Sequence, residues 1–347
     1  MRALTLIPGT PNSARLDDLP APRESSGVHL APIAVGACGT DVEILDGHYG
    51  WAPPGRDRLI LGHECVARVL TASAGFERDE LVVPIVRRPD PVPCSSCAAG
   101  EWDMCRNGKY TEHGIKQLDG FCVEETHLPA DSLVRAPAEL GLHAVLTEPT
   151  SVVAKAWEHI EHIGHRAYWE PKRVLVTGAG PVGLLAALLG RQRALEVTVL
   201  DRVDGGPKPR LVRRLGAEYT NQPIRDQLTA SPPDIVLECT GAPPVLLEVM
   251  RHNAPGSITC LVGVSSAGKS VPVDMGALNR SLVLENDVIF GSVNANRRHY
   301  EQAVQALARA DRAWLDALVT RRVPLSQWES AFARRPEDVK VLLEIAA

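Results

Sequence analysis

The spacing of apolar residues along the chain changes character about halfway. In the first 35 residues they alternate with polar ones, in MRALTLI and again in VHLAPIAVG, separated by Pro-rich turns. A period of two is the pattern of half-buried strands, so this part reads as an all-β lobe. Between 144 and 169 the spacing lengthens to that of a helix, with Val152, Val153, Ala156 and Ile160 on one face and the start expected after Pro149. From 173 to about 290 short apolar runs alternate with helical stretches: RVLVT, EVTVL, DIVLECTGA, GSITCLVGV and VLENDVIFGS as strands, PRLVRRLGAEYT and PPVLLEVMRHN as helices. Such alternation predicts a doubly wound parallel sheet. A polar-faced helix, NRRHYEQAVQALARAD, follows, and VKVLLEIAA closes the chain as a strand able to rejoin the β lobe.

The first parallel strand breaks at Gly178, Gly180 and Gly183, spaced as G-x-G-x-x-G. Gly178 permits a tight turn, Gly180 lets backbone amides approach a pyrophosphate, and Gly183 lets the following helix pack close to the strand. The helix then presents its unpaired N–H groups and positive dipole end to the phosphates. The next strand ends at Asp201, 23 residues after Gly178, where a carboxylate binds ribose hydroxyls and disfavours a 2′-phosphate. NAD is therefore the expected cofactor, and Arg202, Lys208 and Arg210 beside that acid leave room for NADP.

At 347 residues the chain has room for about two domains. A net charge of -5 with interspersed signs argues against nucleic acid or an anionic membrane as partner. No apolar run is long enough to span a bilayer, and a cytoplasmic location is expected. Eight cysteines without an export signal are unlike a disulfide framework. Three of them, Cys94, Cys97 and Cys105, follow a C-x2-C-x7-C spacing that suits a structural zinc, with Asp90 the nearest candidate for a fourth ligand. Cys38 and His63, each flanked by glycine, supply a thiolate and an imidazole for a second site, and Glu148 is a third ligand candidate. The histidines at 159, 162 and 165 read as a solvated helix face near Glu158 and Glu161.

These stretches in this order resemble the zinc-dependent medium-chain dehydrogenase/reductase family, and within it the glucose 1-dehydrogenase branch. CGTDVEIL, LGHE, the EP of LTEPTSV and the glycine turn carry the family likeness; DMCRNGKYTEHGI and GSVNANRRHY carry the sugar-oxidising one. The resemblance implies an α/β chain with a GroES-like catalytic domain at 1–155, completed by about 293–347, and a Rossmann NAD(P)-binding domain at 156–292. It implies a catalytic zinc held by Cys38, His63 and Glu148, with Glu64 a ligand in one state or a partner behind the ligands, and Thr40 bonded to the reacting hydroxyl. Glu112 and Asn294 are implied to bind sugar hydroxyls, with His299 near the same pocket and Arg88 either facing substrate or structural. Cofactor contacts are implied at Gly178, Gly180, Pro181, Val182, Gly183, Asp201, Arg202, Thr240 and Asn294.

The activity so implied is hydride transfer from C1 of an aldose, glucose foremost, to NAD(P), giving the lactone. Another polyol, cyclitol or amino-sugar is the alternative substrate, and a non-enzymatic nucleotide-binding relative is a further one. A homodimer or homotetramer is implied by the resemblance alone.

Overall fold

The computed structural model describes residues 1–22, 27–252, 254–265 and 270–345. Contacts divide the chain into two compact units, one of residues 1–151, 294–310 and 319–347, the other of 152–293 and 311–318.

The first unit is built on strands. The alternating segments fold as Arg2–Leu6 and Val28–Gly36. Val28–Gly36 lies inside a sheet ordered Leu133–Ala136, Leu81–Pro84, Glu64–Val69, Val28–Gly36, Lys340–Glu344 and Val319–Pro324. The C-terminal strand does rejoin this lobe, pairing antiparallel with Val28–Gly36 through Leu342 opposite Gly36. Leu4, Leu30, Val35, Ile44, Cys65, Ala67, Val82 and Leu343 meet in one buried cluster, each from the inward positions of its strand or helix. A small separate sheet pairs Arg87–Arg88 with Thr111–His113, setting Arg87 directly opposite Glu112.

The second unit is the parallel sheet the alternation predicted. Its six described strands run in the order Glu218–Thr220, Glu196–Leu200, Arg173–Thr177, Ile235–Glu238, Ile258–Leu261 and Val288–Gly291, all parallel. In chain order that is 3-2-1-4-5-6, the Rossmann arrangement whose order reverses beside the first strand. The architecture is thus α/β, a GroES-like β-rich unit and a Rossmann unit.

Two boundaries differ from the sequence reading. The expected helix PRLVRRLGAEYT stops at Arg214, and Glu218–Thr220 becomes the edge strand, because Gly216 takes a left-handed φ of +70° that ends the helix. The helix expected after Pro149 begins at Thr147 instead, since proline is tolerated in a first turn where its missing N–H has no intrahelical partner. Glu148 therefore sits within the first helical turn. Among the described residues no helix is long and apolar enough to cross a membrane, and all eight cysteines are free.

Candidate active site

CGTD folds as the start of a helix. Cys38 is the N-cap of Gly39–Leu45 and Asp41 its third residue, and the two close a capping box. Asp41 is fully buried, and one carboxylate oxygen accepts the Cys38 N–H at 3.0 Å while the other lies 3.1 Å from Nδ1 of His63. With Nδ1 engaged there, Nε2 is the ring nitrogen left for a metal. The ligand atoms of Cys38, His63 and Glu64 lie within 4.8 Å of one another. Glu64 is paired in turn with the ammonium of Lys340, a fully buried lysine that also donates to the Ala37 carbonyl at 3.0 Å.

Glu148 is not inside that 4.8 Å group. It is nevertheless a buried neighbour: burial pushes its carboxyl up to about 7, the His63 ring acts against that rise and the Glu64 charge adds to it. Thiolate, imidazole and carboxylate together form the donor set that zinc prefers, and a pre-oriented histidine belongs to such a site, so the residues fit a zinc ion. Thr40, in the first turn of the same helix, is half-buried.

Glu112 lies on the small sheet beside this cluster, buried, with its Oε1 atom 3.0 Å from Nε and 2.9 Å from Nη2 of Arg87. Asn294 donates to the same Oε1 at 2.8 Å, from a left-handed φ of +61°. Tyr300 connects the two acids: burial raises its phenol well above the ordinary value, and the charges of both Glu148 and Glu112 add to the rise. His299 is fully buried and its Nδ1 accepts the Asn296 N–H at 3.1 Å, which makes it part of the cap of Arg297–Ala308. Arg88, the neighbour of Arg87 in the strand and so on the opposite face, pairs with Asp131 at 2.8 Å.

The three thiols Cys94, Cys97 and Cys105 also lie within 4.8 Å of one another. N–H groups of Arg106 and Cys97 draw the Cys94 thiol down to about 6, whereas burial pushes Cys97 up to about 11. Asp90 does not join them. Its two oxygens accept from the Val92 N–H at 2.9 Å and the Asn107 amide at 2.8 Å.

In the Rossmann unit the glycine turn has the geometry that its spacing implied. Gly178 has φ +88°, and a Cβ on Gly183 would stand 1.8 Å from the Gly178 carbonyl, so neither tolerates a side chain. A Cβ on Gly180 would meet nothing within 4 Å. Protein packing does not demand glycine there, and an approaching pyrophosphate would; the turn fits a dinucleotide. Pro181 opens the helix Pro181–Gln192, with Val182 and Gly183 in its first turn. Asp201 accepts the Ala179 N–H at 2.7 Å, Lys208 at 3.1 Å and the Arg202 N–H at 2.7 Å. Burial raises this carboxyl, and those donors outweigh burial and hold it below the usual range. Thr240 follows Ile235–Glu238, its N–H and hydroxyl both donating to the buried Glu238.

Asp41, Arg87, Lys340 and Glu238 were not singled out from the sequence. The capping-box spacing of Cys38 and Asp41 was a usable signal for the first. Arg87 and Lys340 depend on pairings between distant strands that no local pattern carries, and Glu238 combines a distant partner, Thr177, with the local turn at Thr240 and Gly241.

Residues 141–345 match the family described as glucose dehydrogenase C-terminus, and residues 25–138 match the alcohol dehydrogenase GroES-like domain. The chain is 42% identical to glucose 1-dehydrogenase 2 of Vulcanisaeta moutnovskia and 41% identical to glucose 1-dehydrogenase of Thermoproteus tenax, each over 99% of both chains. It superposes on Haloferax mediterranei glucose dehydrogenase, solved in complex with NADP, Zn and gluconolactone, with a TM-score of 0.92 and 31% identity over 100% of both chains. Full-length likeness of this degree, across both units, means that the chain belongs to the glucose 1-dehydrogenase branch of the zinc-dependent medium-chain dehydrogenase/reductase family.

Proposed function

We propose that this chain oxidises glucose at C1 to the lactone, with NAD or NADP as hydride acceptor and zinc as Lewis acid. The observation that carries the reading is the convergence of Cys38, His63 and Glu64, with Glu148 their buried neighbour, in a chain 42% identical over 99% of its length to a glucose 1-dehydrogenase. When bound, zinc lowers the pKa of an alcohol and the nicotinamide accepts the hydride.

The protein's own part is placement and proton traffic. Cys38 and His63, with Glu148 or Glu64 as the third donor, hold the metal, and Asp41 keeps the first two aimed. Thr40 takes a hydrogen bond from the C1 hydroxyl and passes its proton outward. Glu112 and Asn294 bind hydroxyls elsewhere on the ring, which fixes C1 relative to the metal. His299 acts one step back, holding the Asn296 cap that follows Asn294.

On the cofactor side the amides after Gly178 and the helix beginning at Pro181 receive the pyrophosphate. Asp201 accepts from the ribose hydroxyls. Lys208, 3.1 Å from that carboxylate, supplies a counter-charge for a 2′-phosphate, so NADP is used as well, with NAD favoured. The three thiols at 94, 97 and 105 hold a second, structural zinc.

Initial rates of cofactor reduction across aldoses, polyols and cyclitols, on zinc-loaded and chelator-stripped protein, test the reading. Zinc-dependent turnover led by glucose supports it. Turnover confined to cyclitols, or undiminished by complete metal removal, contradicts it.

A further inference from the structure

Glu112 is the centre of an arrangement that the overall reaction does not explain. Two hydrogen bonds converge on one of its two carboxylate oxygens, from Arg87 Nε at 3.0 Å and Asn294 Nδ2 at 2.8 Å, and Arg87 Nη2 makes an ion-pair contact with the same Oε1 at 2.9 Å. A carboxylate oxygen has about two lone-pair sites, so Oε1 is saturated. Oε2 accepts from none of the described residues, and it is not among the buried atoms sealed away without a partner. The carboxylate is thus divided into a protein side and an open side.

Arg87 is itself immobilised. Its backbone is the cross-strand partner of Glu112, its Nη1 donates to the Asp103 carbonyl at 3.1 Å, and its guanidinium lies 3.7 Å from the ring centre of Tyr110. Both members of the pair are about 5% exposed. A buried pair of this kind adds little net stability over an apolar pair, yet removing one partner leaves the other charge stranded. What it does supply is a single fixed orientation for the carboxylate.

We infer that Arg87 is a positioning residue for sugar selectivity: by occupying Oε1 of Glu112 it leaves Oε2 alone to read one ring hydroxyl of the substrate. The inference rests on the reading of Glu112 as a sugar contact. It adds that Glu112 takes one hydroxyl and does not grip an adjacent pair with both oxygens, and that this selectivity is set by Arg87. Arg88, beside it in sequence, has no part, because its side chain is turned to Asp131.

The test is the ratio of kcat/KM for glucose to that for each monodeoxyglucose, measured in wild type, Glu112→Gln, Arg87→Gln, Arg87→Lys and the Glu112→Gln/Arg87→Gln double variant. Wild type should reject one analogue strongly, by roughly a hundredfold or more, because a site built to bond a hydroxyl leaves a buried acceptor unpaired when that hydroxyl is missing. Arg87→Gln should lose at least tenfold of that one ratio, as should Glu112→Gln, and the double variant should be no worse than Glu112→Gln alone. Arg87→Lys keeps the buried charge without the planar fork and should fall between wild type and Arg87→Gln for the same analogue.

A structural role gives a different result. If Arg87→Gln and Arg87→Lys lower kcat/KM for glucose and every analogue by a common factor, or if the effects of Arg87 and Glu112 multiply, the inference is overturned while the substrate reading survives. If wild type oxidises no glucose, the substrate reading fails and the inference falls with it.

Discussion

Oδ1 of Asp41 lies 3.1 Å from Nδ1 of His63, while Oδ2 of the same carboxylate accepts the Cys38 N–H at 3.0 Å. One buried acid therefore fixes two donor residues that are 25 positions apart in the chain. Partners standing behind metal ligands typically matter by 10- to 100-fold in metal affinity. Asp41→Ala should weaken zinc binding by about that factor in competition with a chromogenic chelator, and Asp41→Asn, which keeps an acceptor for the Cys38 N–H, by less. Unchanged affinity in Asp41→Ala would remove Asp41 from the account.

Asp201 and Lys208 make a separate prediction about the cofactor. The carboxylate disfavours a 2′-phosphate, and the lysine is held against it at 3.1 Å. Replacing Asp201 with Ala releases that lysine, so the ratio of kcat/KM for NADP over NAD should rise about tenfold or more. Lys208→Ala should move the same ratio downward. A ratio that ignores both changes places cofactor choice elsewhere.

His113 gives a pH dependence with a definite sign. Its Nδ1 lies 2.8 Å from the Asp119 carbonyl, and burial pushes the ring down to about 4 from an ordinary value of 6.5. The unfolded chain takes up that proton first on acidification, so the stability contribution is complete above about pH 6.5 and disappears between there and pH 4. At 1.36 kcal/mol per unit the full effect is about 3 kcal/mol. Urea midpoints of wild type and His113→Gln should converge as pH falls through this window; parallel curves would show that His113 is not buried as a neutral ring.

Asp90 is spent on its own loop, accepting from Val92 N–H and Asn107. Asp90→Ala should therefore keep the zinc content of the wild-type chain, while lowering its urea midpoint through the loss of those two bonds. Each of Cys94→Ser, Cys97→Ser and Cys105→Ser should lower the zinc content by one ion per chain. If Asp90→Ala loses an ion as the cysteine variants do, the carboxylate moves to the metal when zinc is present.

Much of the fold was legible because its signals are local. Strict alternation marked Arg2–Leu6 and Val28–Gly36, and the glycine spacing marked the turn at 178–183 together with the acid 23 residues on. The site was less legible where function depends on a pairing. Arg87 and Arg88 are indistinguishable in sequence, and only the register opposite Glu112 tells which one turns inward. Lys340 meets Glu64 because the last strand returns beside Val28–Gly36, a tertiary event with no local mark. Asp90 is close to the three thiols along the chain, and the bonds its carboxylate accepts from Val92 N–H and Asn107 carry no mark in the sequence.

Glucose deuterated at C1, given to zinc-loaded protein, traces hydride transfer from C1 to the nicotinamide. Deuterium should appear on the reduced nicotinamide in equal amount to gluconolactone formed, and chelation of the zinc should abolish both. Reduced cofactor that carries no deuterium, or no cofactor reduction with glucose at all, would contradict that transfer.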